Sequence, residues 1–119
     1  FIDDPSCLLN EADVIISCSE DEGFGRVLVE AMHFQKPVIG ARSGATVELI
    51  RNGYNGYLYD ARDIKGLCEK IESYILNPDL IRIHGYNGAN FICTFNYGEK
   101  IEQLYDRLIK LKCKNLSKL

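Results

Sequence analysis

Residues 14–39 read VIISCSEDEGFGRVLVEAMHFQKPVI, and this stretch decides the fold class. Val14-Ile15-Ile16-Ser17-Cys18 is a short apolar run of the kind that forms a strand buried on both faces of a parallel sheet. A polar, glycine-containing loop, Ser19 to Gly25, follows it. Arg26 to Phe34 then reads as a helix: Val27, Leu28, Ala31 and Phe34 recur at helical spacing and are expected to face a sheet, while Arg26, Glu30 and His33 share another face. Lys36-Pro37 breaks that helix, and Val38-Ile39 opens a second strand. Strand, helix and strand in this order imply parallel pairing through a right-handed crossover.

The pattern extends in both directions. Upstream, Asp4-Pro5 suits a helix cap followed by proline in the first turn, with Leu8, Leu9 and Ala12 inward. Downstream, the loop Gly40 to Ala45 leads to a short helix, Thr46 to Arg51, which Asn52-Gly53 ends. A third strand, Tyr57-Leu58-Tyr59, follows Asn55-Gly56. Asp60 and Asp63 open a helix from Ile64 to Leu76, whose Ile64, Leu67, Cys68, Ile71 and Ile75 mark an apolar stripe. Asn77-Pro78 caps the next helix, which runs to about Ile92, and Asn96 with Glu99 resembles a capping box for a last one, about Tyr97 to Lys112. The expected fold is α/β: a three-layer, Rossmann-like parallel sheet with C-terminal helices. No linker or repeat divides the sequence, so 1–119 reads as a single partial domain, half of a doubly wound one.

Composition narrows the function. The chain has 119 residues, a formal charge of -3, and hydrophobic and charged fractions of 46% and 26%. These are ordinary globular values, and the acidic balance argues against nucleic acid or an anionic membrane as the main partner. The five cysteines (Cys7, Cys18, Cys68, Cys93 and Cys113) form no Cys-x-x-Cys pair, and with only His33 and His84 no metal site is expected. Buried, unpaired thiols in a reducing compartment are the expectation. There is no run of 18 apolar residues and no signal-peptide pattern. Ser117-Lys118-Leu119 spells the peroxisomal address, but the cytosol is favoured. A start at Phe1 in place of methionine points to truncation or processing.

In an open parallel sheet, ligands bind beyond the carboxyl ends of the strands. Ser19 to Gly25 occupies such a place. Its two glycines allow close backbone approach, and the first amides of the following helix suit a phosphate. Glu22 in the loop and Glu30 in the second helical turn would grip hydroxyl groups on either side of that phosphate. The plainer alternatives are a surface pair of Arg26 and Glu30 at i, i+4 and an acidic loop, Glu20-Asp21-Glu22, that repels phosphate unless positive charge is near.

The longer string is more specific. Glu22-Gly23-Phe24-Gly25-(x4)-Glu30-Ala31-Met32, then Lys36-Pro37-Val38-Ile39, Gly44-(x3)-Glu48 and Asn52-Gly53-(x2)-Gly56 resembles the group 1 (family 4) retaining glycosyltransferases of GT-B fold. The resemblance covers residues 4–76 well and the tail more loosely, and it corresponds to the C-terminal, nucleotide-sugar-binding domain. It implies that Glu22 hydrogen-bonds hydroxyls of the transferred sugar in the catalytic centre. The backbone of Gly23, Phe24 and Gly25, with the amides of Arg26 and Val27, would line the sugar and diphosphate, and Glu30 would hold the ribose hydroxyls. It also implies a nucleotide-diphosphate sugar as co-substrate, a sugar or glycolipid acceptor, retention of configuration, and no cofactor or metal. Glu48 would support the loop after the second strand.

Two departures stand out: the family's glycine pair reads Gly44-Ala45, and the basic pair that neutralises the diphosphate lies, in the family, upstream of Phe1. The chain alone would then be inactive, with membrane association only through regions outside it and dimerisation through an uncovered sheet face. A sugar-nucleotide epimerase and a non-catalytic interaction module are the competing readings.

Overall fold

The computed structural model describes residues 6–19 and 25–94. The proposed cap at Asp4-Pro5, the loop residues Glu22, Gly23 and Phe24, and the helix expected over 97–112 lie outside the described residues. Within them the order is α1 (Ser6–Glu11), β1 (Ile15–Ser17), α2 (Arg26–His33), β2 (Val38–Ala41), α3 (Ala45–Leu49), β3 (Gly56–Tyr59), α4 (Ile64–Leu76) and α5 (Asp79–Thr94).

The three strands form one parallel sheet in the order β1-β2-β3. Ile15, Val38 and Gly56 are in register, as are Ile16, Ile39 and Tyr57, and then Ser17, Gly40 and Leu58. Because side chains alternate along a strand, this register sorts the apolar residues into two layers. Val38 and Leu58 join Leu28, Val29, Ala31 and Met32 of α2, Leu49 of α3, and Phe91 and Ile92 of α5. Ile39, Ala41 and Tyr59 meet Tyr74 on the opposite face, with Leu67, Ile71, Leu80 and Ile81 packed around them. Helix α5 therefore begins in one layer and ends in the other. It passes close to the α2–β2 connection at Gly85, where a Cβ would lie 2.1 Å from the Gln35 carbonyl oxygen.

The turn between α3 and β3 is built by two asparagines. Asn55 is fully buried; its Oδ1 accepts from the Arg51 amide at 2.9 Å and its Nδ2 donates to the Leu49 carbonyl at 3.1 Å. This satisfies a carbonyl at the end of α3 that the short helix leaves without a partner. Asn52 Oδ1 accepts from the Leu58 amide at 3.0 Å, so the turn is stitched to β3 itself.

A second buried polar group joins the turn to the two long helices. The His84 imidazole lies 2.7 Å from the Tyr74 hydroxyl, and the ring of Tyr57 meets both residues at centroid distances of 5.3 and 5.1 Å. The backbone of Gly53 favours the charged form of the ring. Burial nevertheless pulls the His84 pKa down and pushes the Tyr74 phenol up.

Three expectations need correction. Val27 is 51% exposed, and Val29 and Met32 are buried in its place, because the inward arc of α2 is centred between Leu28 and Met32. Cys7, Cys18, Cys68 and Cys93 are free, as expected, but exposed rather than buried. The stripe on α4 is only partly covered: Ile71 and Leu67 are half-buried, whereas Ile64 and Ile75 are 74% and 69% exposed. Along that side an open aliphatic groove of about 280 Å³ runs between β1 and α4, lined by Val14, Ile16, Ile39, Ile71, Ile75 and Ile81 among others.

Candidate functional site

Parallel pairing brings the ends of all three strands to one edge of the sheet. Cys18 and Ser19 follow β1 and are exposed there, Arg42, Ser43 and Gly44 follow β2, and Asp60 follows β3. The Arg42 amide donates to the Tyr59 carbonyl at 2.8 Å and its guanidinium Nε lies 3.3 Å from Asp60 Oδ1, so the second and third strand ends are tied together.

Helix α2 starts at this edge. Gly25 is its N-cap, in the left-handed conformation (φ 65°, ψ 34°), and no side chain caps the helix. The first backbone bond runs from the Val29 amide to the Gly25 carbonyl at 2.9 Å. The amides of Arg26, Val27 and Leu28 accordingly have no acceptor among the described residues, and they carry the positive end of the helix dipole.

Gly25 is required for a reason that the motif alone does not reveal. Besides its positive φ, the position of its missing Cβ is 2.5 Å from Leu49 Cδ1 and 3.5 Å from Ala45 Cβ. The start of α2 is seated on α3. Ala45, which stands for the family's second glycine, is buried, and its methyl is absorbed into this seam. Gly44 keeps the unusual backbone (φ 55°, ψ −132°).

Glu30 lies one turn beyond Arg26 on the outer face of α2 and is half-buried. No hydrogen bond or ion pair engages its carboxylate among the described residues. Burial raises its pKa, and the Arg26 charge offsets this in part. The surface-pair alternative is therefore only an electrostatic influence here, not a formed ion pair. The structure thus brings together Gly25, Arg26, Val27 and Glu30. Glu22, Gly23 and Phe24 lie outside the described residues.

The residue that ties the loop after β2 is Thr46 rather than Glu48. Thr46 is fully buried, and its hydroxyl contacts the carbonyls of Ala41 and Ser43 and accepts from the Ser43 amide at 3.1 Å. Glu48 is exposed and makes no such bond among the described residues. The Ser43-x-x-Thr46 spacing was the only sequence sign of this arrangement. No group of three His, Cys, Asp or Glu suited to a metal occurs among the described residues. No helix there is long and apolar enough to cross a membrane.

The three-stranded parallel sheet with its helices is the α/β arrangement of GT-B glycosyltransferases. The chain belongs to the family described as glycosyl transferases group 1, whose model matches residues 1–91. An uncharacterized glycosyltransferase of Methanocaldococcus jannaschii is 34% identical over 110 residues, 89% of this chain and 31% of that protein. The C-terminal domain of a group 1 family protein from Francisella tularensis superposes with a TM-score of 0.71 at 29% identity, covering 79% of this chain and 50% of that one. The Anabaena HepE protein, solved in complex with UDP-glucose, gives 0.70 at 28% identity over 87% of this chain and 29% of its own. The chain spans about a third or less of the length of the curated relatives it matches.

Proposed function

We propose that this chain supplies part of the donor site of a retaining glycosyltransferase that moves a sugar from a nucleoside diphosphate to an acceptor. The observation that carries this reading is the Glu30 carboxylate, half-buried, on the helix whose first three amides, like that carboxylate, have no hydrogen-bond partner among the described residues. A desolvated carboxylate with free acceptor positions suits a vicinal diol such as that of ribose. Uncapped amides at a helix start suit the diphosphate.

In this reading the amides of Arg26 and Val27, with the backbone of Gly23, Phe24 and Gly25, face the diphosphate and sugar. Glu22 binds hydroxyls of the sugar being transferred. Preorganised donors at the leaving diphosphate would lower the barrier most, since negative charge grows there as the glycosidic bond breaks. UDP-glucose in the Anabaena relative supports a nucleotide-sugar donor. The acceptor, a sugar or glycolipid, would be met by other parts of a longer protein.

The test is calorimetric titration of UDP, GDP and ADP into the longest native polypeptide containing this chain. Glu30→Gln should weaken the preferred nucleotide by about 10- to 150-fold, the worth of a hydrogen bond to a charged group. An unchanged affinity would overturn the assignment.

A further inference from the structure

We infer that Thr46 is a positioning residue for donor binding, acting through the seat that α3 provides for the start of α2. The inference rests on the donor-site reading above. A threonine at the second position of a five-residue helix would ordinarily be a replaceable surface residue. Here it has no exposed surface, and its hydroxyl is engaged three times. The single hydroxyl proton is shared between two carbonyls: that of Ala41, the last residue of β2, and that of Ser43 at 2.5 Å. The oxygen in turn accepts from the Ser43 amide at 3.1 Å. The Thr46 amide also donates back to the Ser43 carbonyl at 3.2 Å.

These bonds fold residues 41–46 into a closed knot at the carboxyl edge of the sheet. The knot fixes Gly44 in its positive-φ conformation and directs the Ala45 methyl inward. That methyl and Leu49 form the surface on which Gly25 rests. Gly25 in turn sets the direction of the amides of Arg26 and Val27 and the height of Glu30. Without the hydroxyl, one amide and two carbonyls lose a common partner, and the seat moves with them. The effect is expected on the donor, which meets α2, and through geometry rather than through contact with Thr46.

The experiment compares Thr46→Val, Thr46→Ser and Glu30→Gln in the longest native polypeptide, with UDP, GDP and ADP as probes at a temperature where melting curves show each protein folded. Thr46→Val, close in shape but without the hydroxyl, should weaken the preferred nucleotide on the order of tenfold, and Thr46→Ser should restore most of it. A Thr46→Val protein that melts lower but binds as wild type would overturn the inference, since a merely structural role predicts that result. If Thr46→Val does not fold, Thr46→Cys against Thr46→Ser makes the same comparison, and equal affinities would overturn it. Glu30→Gln separates the two failures. Loss of binding there with none at Thr46 sinks only this inference, whereas no loss at Glu30 sinks the donor-site reading.

Discussion

A methyl group on Gly25 would sit 2.5 Å from Cδ1 of Leu49, so the residue that begins α2 is held as glycine by the interior as well as by its backbone angle. Gly25→Ala should cost about 1–2 kcal/mol for a left-handed non-glycine residue and roughly 1–3 kcal/mol for overpacking. Leu49→Ala in the same chain should recover the steric part, leaving the backbone part. Urea unfolding of the two single variants and the double variant measures the coupling.

Glu30 makes an opposite prediction for stability. Its folded-state pKa is raised by burial above the ordinary 4.5. The folded protein therefore holds this proton more tightly than the unfolded chain. Stability from this group is fully present below pH 4.5 and is lost as pH rises through the folded value. Glu30→Gln should thus melt no lower than wild type at pH 7, with a flatter pH dependence between pH 4 and 7. On the proposed donor-site reading, Glu30 would weaken the fold while strengthening ligand binding, the pattern of a functional residue. Calorimetric melts across that range test it.

His84 should make the fold acid-sensitive. Burial depresses its pKa below 6.5, so the unfolded chain takes up the proton first. Stability then falls as pH drops through about 6.5, by at most about 1.4 kcal/mol per pH unit, until the folded-state histidine also titrates. His84→Gln should remove that slope. Tyr74→Phe should lower stability without removing it, because the histidine stays buried. Equilibrium denaturation at pH 5, 6, 7 and 8 distinguishes the variants.

Asn55 is a purely structural asparagine on this geometry. Asn55→Leu buries an apolar group of similar size but orphans the Arg51 amide and the Leu49 carbonyl. It should cost about 2–6 kcal/mol, at roughly 1–3 kcal/mol for each unsatisfied buried group. Asn52→Ala, at an exposed position with one bond to Leu58, should cost about 1 kcal/mol. Thermal melts of the two variants side by side provide the check.

Local signals located most of the fold. Helix α4 has the boundaries that Asp63 and Asn77 suggest, and Asp63 does accept from the Gly66 amide. Lys36-Pro37 stands between α2 and β2 as expected, and the apolar runs at 14–18 and 38–39 became β1 and β2. The readings that failed depended on partners distant in sequence. Val27 looks inward by spacing, but the arc that α2 buries is chosen by β1, β2 and α5. Asn55 and Thr46 resemble ordinary turn and loop residues until Leu49 and Ala41 lie beside them. His84 has no sequence mark at all, because its partners are Tyr74, Tyr57 and Gly53. At the candidate site, the helical spacing put Glu30 in the second turn of the helix that follows Gly25, and α2 has that arrangement. That Leu49 fills the space of the missing side chain at position 25 could not be read from a glycine in a loop.

The aliphatic trench between β1 and α4 has a practical consequence for anyone handling this polypeptide by itself. Ile16, Ile75 and their neighbours would fluoresce an environment-sensitive dye, adsorb to plastic and salt out early, as exposed greasy patches of this kind do. Mild detergent or a few surface charges placed along Ile64 and Ile75 would keep it dispersed.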